Sequence, residues 1–156
     1  MTTRLSKSNK PLEDEIIFSQ ALANQSYSAT TADVEVTVWP EFLDSKSNAV
    51  GDLFVWAYHV RIDNKSKETI QLINRYWKII DETGVVQEVN GEGVVGEKPI
   101  IAPGGFYQYS SGVHLRYPSG IMSGKYQMQK IIDDSFFDAA IPAFSLDVPT
   151  IKNVVN

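Results

Sequence analysis

From Asp33 onward, apolar and polar side chains alternate with period two, the spacing of a strand that buries one face. Val34, Val36 and Val38 alternate with Glu35 and Thr37 up to Trp39 and Pro40. The clearest strand spans residues 53–63. Phe54, Trp56, Tyr58, Val60 and Ile62 share one face, and His59, Arg61 and Asp63 lie on a second face that becomes wetter toward its end. Residues 70–81 are apolar on both faces. Ile73, Trp77 and Ile79 go with Arg75, and Leu72, Tyr76 and Ile80 lie opposite. Without a bulge to shift the register, the pattern does not choose between those faces.

Further strands are expected over residues 85–89, from Phe106 toward Gly112, over residues 121–131 and from Phe137 to Leu146, where Pro142 suits an edge or a bulge. Polar turns at residues 63–67, 82–84, 118–120 and 133–134 join them. About seven short strands in succession, with no convincing helix in the body, predict an all-β, two-sheet antiparallel sandwich. Residues 1–32 read differently. They are polar, apart from a stretch from Leu12 to Leu22 that could form one short amphipathic helix with Glu13, Asp14 and Glu15 near its N-terminus. They are taken as an N-terminal extension, flexible or with that one helix.

Composition removes whole chemistries. The chain has 156 residues and no cysteine, which excludes disulfides, a cysteine nucleophile, thiolate zinc and iron–sulfur clusters. Residues 1–10 carry Arg4, Lys7 and Lys10 and no acid, leaving eleven basic against nineteen acidic residues in the remainder, a net −8. A body of that charge is a poor partner for duplex nucleic acid. No apolar run approaches a membrane helix and no secretory signal opens the sequence, so the expected location is cytoplasmic, with no membrane partner.

One stretch looks chemical. Gly91–Glu92–Gly93–Val94–Val95–Gly96 matches the G-x-G-x-x-G dinucleotide pattern. That pattern needs a helix after it, and Pro99 and Pro103 forbid one here. Three readings remain for Gly91, Glu92, Gly93, Gly96 and Lys98. The glycine amides could form a nest for a phosphate-bearing small molecule with Lys98 beside it, although Glu92 and Glu97 would repel it. Glu88, Glu92 and Glu97 could hold magnesium. The glycines could simply permit a tight loop. Elsewhere, His59 and His114 lack the spacing of a metal pair and read as surface residues. No nucleophile elbow surrounds any serine, and Ser110 and Ser111 stand too close in sequence to His114 to form a triad alone. Tyr107 and Tyr109 lie opposite Phe106, so one side of that strand exposes an aromatic.

Several strings together resemble the ApaG family. They include Phe54–Val55–Trp56–Ala57–Tyr58, Asn74–Arg75–Tyr76–Trp77–Lys78–Ile79, the run from Val89 to Pro99, Tyr109–Ser110–Ser111–Gly112, the run from Pro118 to Met128, and Ile141–Pro142–Ala143–Phe144–Ser145–Leu146. The resemblance covers residues 33–151, leaving 152–156 as a tail. It implies a fibronectin type III- or immunoglobulin-like sandwich, a link to cobalt resistance and magnesium efflux, and a binding module rather than an enzyme. It brings no catalytic residues and no cofactor, and marks Gly91, Gly93 and Gly96 as a suspected phosphate site. The expected partner is another protein, with a homodimer as one form of it. The alternative is a small-ligand sensor that holds a phosphate-bearing metabolite or magnesium at residues 91–96.

Overall fold

Val34, Val36 and Val38 are fully buried, and Ile62 and Val60 stand directly across from Val36 and Val38. The period-two pattern of both segments thus becomes one apolar sheet face. In the computed structural model, which describes residues 2–3 and 25–149, the strands are β1 (Thr2–Thr3), β2 (Tyr27–Thr31), β3 (Val34–Phe42), β4 (Phe54–Asn64), β5 (Ile70–Asp81), β6 (Val86–Glu92), β7 (Ile100–Ile101), β8 (Phe106–Leu115), β9 (Gly120–Lys130) and β10 (Phe136–Ser145). One sheet has the order β1-β8-β4-β3-β2. The other has the order β10-β9-β5-β6, with β7 beside the start of β5. All pairings are antiparallel, so the expected two-sheet sandwich is the fold found.

The register ambiguity of β5 is resolved by a bulge. Its pairing with β9 slips between Leu72 and Asn74, which leaves Ile73 as the extra residue. Ile70 and Leu72 therefore face the core before the slip, and Trp77 and Ile79 face it after. Arg75, in phase with Trp77, is carried to the same side. A second bulge in β10, between Ile141 and Phe144, spans Pro142, which cannot donate to a ladder. Trp77 is the centre of the core. Its ring packs edge-to-face on Tyr58 (5.0 Å), Phe144 (6.1 Å) and Tyr126 (6.3 Å).

β2 falls inside the segment expected to be an extension. It pairs with β3 from Tyr27↔Val38 to Thr31↔Val34, and the hairpin turns through Ala32 and Asp33 at φ +49° and +62°. The short helix expected within residues 12–22 and the tail at 152–156 lie outside the described residues. Among the described residues, no helix is long and apolar enough to cross a membrane.

Candidate functional site

The two sheets close on each other along one side only. There, β10 meets β2, and the Ala140 N–H donates to Thr31 Oγ1 (3.1 Å). On the opposite side, among the described residues, stand β6, paired to β5 alone, and β8, whose outer edge carries only the two-residue β1. The glycine motif and a cleft between the sheets both lie on this open side.

Gly91 and Glu92 belong to β6, so the motif begins as strand and only then leaves the sheet. Gly91 sits opposite Arg75, and a Cβ there would meet the guanidinium carbon at 2.7 Å. Glycine is therefore what lets the arginine lie flat on this edge. Arg75 Nη1 donates to the carbonyls of Glu92 and Gly93, both at 2.9 Å. The Gly93 N–H donates to the carbonyl of Ile73, the bulge residue (2.8 Å). Gly93 has φ +61°, and a Cβ there would lie 2.1 Å from the Glu97 carbonyl oxygen. Val94 and Glu97 exchange N–H···O bonds of 2.8 and 2.9 Å, and the buried side chains of Val94 and Val95 join the core.

The five candidate residues thus lie together, Gly91 and Glu92 at the end of β6 and Gly93, Gly96 and Lys98 in the loop after it. The N–H groups of Gly93, Val94 and Glu97 are engaged by the protein's own backbone. Lys98 Nζ pairs with Glu92 Oε1 (3.2 Å) at the surface. The three glutamates do not converge. Glu88 accepts the Tyr76 hydroxyl (2.6 Å), Glu97 faces the Tyr107 hydroxyl (3.4 Å), and Glu92 has Lys98. Among the described residues, no group of three His, Asp or Glu is placed to hold a metal ion.

Between the sheets on the open side is a cleft of about 410 Å³. Trp77, Ile79, Val89 and Met122 supply apolar wall, and among the described residues no aspartate or glutamate lines it. Its polar lining includes Arg75, Arg116, His114, Gln87, Ser111 and Tyr58. Burial raises the pKa of the Tyr58 hydroxyl, opposed by the Ser111 hydroxyl and by the positive charge of Arg75. Deeper in, the hydroxyls of Tyr109 and Tyr126 bond to each other. Burial pushes both pKa values far up, again against the pull of Arg75.

On the outer face of the β4–β8 pair, the structure corrects one expectation. His59 is buried, not a surface residue, and it meets Ser110 across the strand. Nδ1 lies 2.6 Å from Ser110 Oγ, and Nε2 lies 2.9 Å from Glu41 Oε1. The carboxylate only accepts, so Nε2 carries a proton, and in the neutral ring Nδ1 accepts the serine hydroxyl. Ser110 is itself buried in mid-strand, between β4 and β1. The sequence hid this cluster, because the register that brings the two residues together is long-range. Phe106 is the exposed aromatic of its strand, as the alternation requires, and the Arg61 guanidinium lies 3.9 Å over its ring.

Two antiparallel sheets with a lined cleft at their free edges define a β-sandwich of the fibronectin type III-like class. Comparison with known proteins narrows this. The ApaG domain profile matches residues 44–130. Protein ApaG of Paramagnetospirillum magneticum is 55% identical over 130 residues, covering 83% of this chain and 99% of that protein. Protein ApaG of Brucella suis biovar 1 is 52% identical over the same shares. The crystal structure of the ApaA protein from Bordetella pertussis superposes with a TM-score of 0.73 at 37% identity, covering 78% of this chain and 98% of that one. The chain belongs to the ApaG domain family.

Proposed function

We propose that this ApaG-family chain is a non-enzymatic binding module that docks another protein along the free edge of β6. On this reading it works in the cytoplasm, and the link to cobalt resistance and magnesium efflux that the family resemblance implies is indirect, through the partner. The observation that carries the proposal is the edge itself. Edge strands that avoid association are guarded by proline, lysine or a cover. β6 is seven residues long (VQEVNGE), carries neither proline nor lysine, and ends the sheet among the described residues; its two charges are taken up, Glu88 by the Tyr76 hydroxyl and Glu92 by Lys98. Beside it, Val86, Ile80 and Ile121 stand in one cross-strand row on the solvent face. Val86 is 49% and Ile121 51% exposed, and Val85 just before the strand is 62% exposed. Strand addition supplies main-chain hydrogen bonds, and an apolar row beside it supplies selectivity.

The alternative, a phosphate-bearing metabolite or magnesium held by residues 91–96, is the weaker reading. Three of that loop's N–H groups are already bonded within the loop or to Ile73. The test is affinity capture with the full chain against Val86→Glu and Ile121→Glu, which place charge on the row without touching the core. The proposal expects a partner, identified by mass spectrometry, that the wild type retains and both variants lose. A second copy of this chain as that partner would show as a dimer by light scattering. Identical capture by all three proteins would refute docking at β6.

A further inference from the structure

We propose that the cleft between the free edges of β6 and β8 is a binding site for a small organic anion, a carboxylate or phosphate ester carried on an apolar body. The inference is independent of protein docking at β6, and the two can fail separately.

The cleft's volume, about 410 Å³, falls in the range of small-ligand sites. Its lining is one-sided in charge. The chain has nineteen acidic residues and a net charge of −5, yet among the described residues no acid lines this cleft, and Arg75 and Arg116 do. Such a site repels cations and favours anions.

The arginines differ in how they are held. Arg75 is anchored, because Nη1 bonds two carbonyls of the glycine loop. Those bonds, with the flat approach to Gly91, fix the guanidinium plane, and among the described residues Nε and Nη2 have no acceptor. A guanidinium with one side pinned and the other open is preorganised for the two oxygens of a carboxylate or phosphate. Arg116 lies exposed at the rim, with no carboxylate in ion-pairing distance among the described residues. It can close on the same anion. Ser111 and Tyr58 add hydroxyl donors on the opposite wall. Tyr58 serves as a donor only while protonated, and its burial favours that form.

The rest of the ligand is set by the walls. Trp77, Ile79, Val89 and Met122 offer apolar surface, so a bare inorganic anion would leave much of the cleft unfilled. The glycine motif takes a part here that its pattern did not announce. It is the clamp that holds Arg75, not the anion's cradle.

The experiment is an amide-shift titration of the full chain with benzoate, phenyl phosphate and inorganic phosphate, with benzylamine as the isosteric cation. Binding at the cleft predicts saturable shifts at Val89, Ser111, Val113 and Arg116. They should appear with benzoate or phenyl phosphate, be weaker with inorganic phosphate, and be absent with benzylamine. Whichever of the two aromatic anions binds more tightly identifies the head group. Arg116→Ala, at an exposed position that does not threaten folding, should weaken binding about tenfold or more, the loss of one charge-assisted hydrogen bond. Arg75→Lys, which keeps the charge but loses the fork, should weaken it too. The proposal is overturned if neither aromatic anion shifts these amides up to about 10 mM, if both variants bind as wild type does, or if the shifts are confined to residues 91–98.

Discussion

Gly93→Ala asks whether the glycine motif is architecture. At φ +61° an alanine pays the left-handed penalty, about 1–2 kcal/mol. Its Cβ would also lie 2.1 Å from the Glu97 carbonyl oxygen and 2.9 Å from its carbon, which are backbone atoms that cannot rotate away. To make room, Glu97 must retreat, which breaks the two N–H···O bonds it exchanges with Val94, each worth about 0.5–1.5 kcal/mol. The expected loss is therefore about 2–5 kcal/mol. Gly96→Ala is the internal control. Its φ is +80°, but nothing lies within 4 Å of a Cβ there, so it pays only the dihedral term of about 1–2 kcal/mol. The reduced entropy of the unfolded chain offsets both variants alike. Urea unfolding followed by tryptophan fluorescence, with unchanged m-values, gives the two losses. If Gly93→Ala costs no more than Gly96→Ala, the closure through Glu97 is not what the loop is built for.

Other expectations follow from the core and the polar clusters. Burial raises the pKa values of Tyr58, Tyr109 and Tyr126, so below about pH 10 all three are neutral folded or unfolded. Above that pH the unfolded chain ionises while the folded chain holds its protons. Stability should therefore fall as pH rises, by up to about 1.4 kcal/mol per pH unit for each tyrosine. Alkaline unfolding by circular dichroism measures this, and Tyr126→Phe should flatten the slope. Phe144→Ala, which removes a ring packed on Trp77, Tyr58 and Tyr27, should cost about 3–5 kcal/mol in urea unfolding. Ser110→Ala removes the hydroxyl bonded to buried His59 and should cost about 1–3 kcal/mol, with partner capture unchanged.

Most strands were legible because each alternates with a clear period, as β3 and β4 do. β5 was legible only in part. Its two apolar faces left the core side open, because the bulge at Ile73 that settles it is set by pairing with β9 and by the Gly93 N–H, which local sequence does not show. β2 was missed because Tyr27–Thr31 is a polar edge strand, and its turn places Ala32 and Asp33 at positive φ without the glycine or asparagine that marks such hairpins. The glycine motif was visible and its chemistry was not. What decides it is where the N–H groups of Gly93, Val94 and Glu97 point, and they point to the carbonyls of Ile73, Glu97 and Val94. The cleft was illegible for a similar reason. Arg75 lies within β5 and Arg116 just after β8, and only the fold brings the two to one cleft. His59 and Ser110 face each other through a pairing between residues 51 apart in the chain.

Hydrogen–deuterium exchange of the full chain, alone and with its captured partner, tests the reading of the open side most directly. In the free protein the outward amides of β6 should exchange quickly, as befits an unpaired edge. On docking, new protection is expected along residues 86–92 and beside Ile121. Protection that appears only at residues 93–97, or on the face of His59 and Ser110, would contradict it.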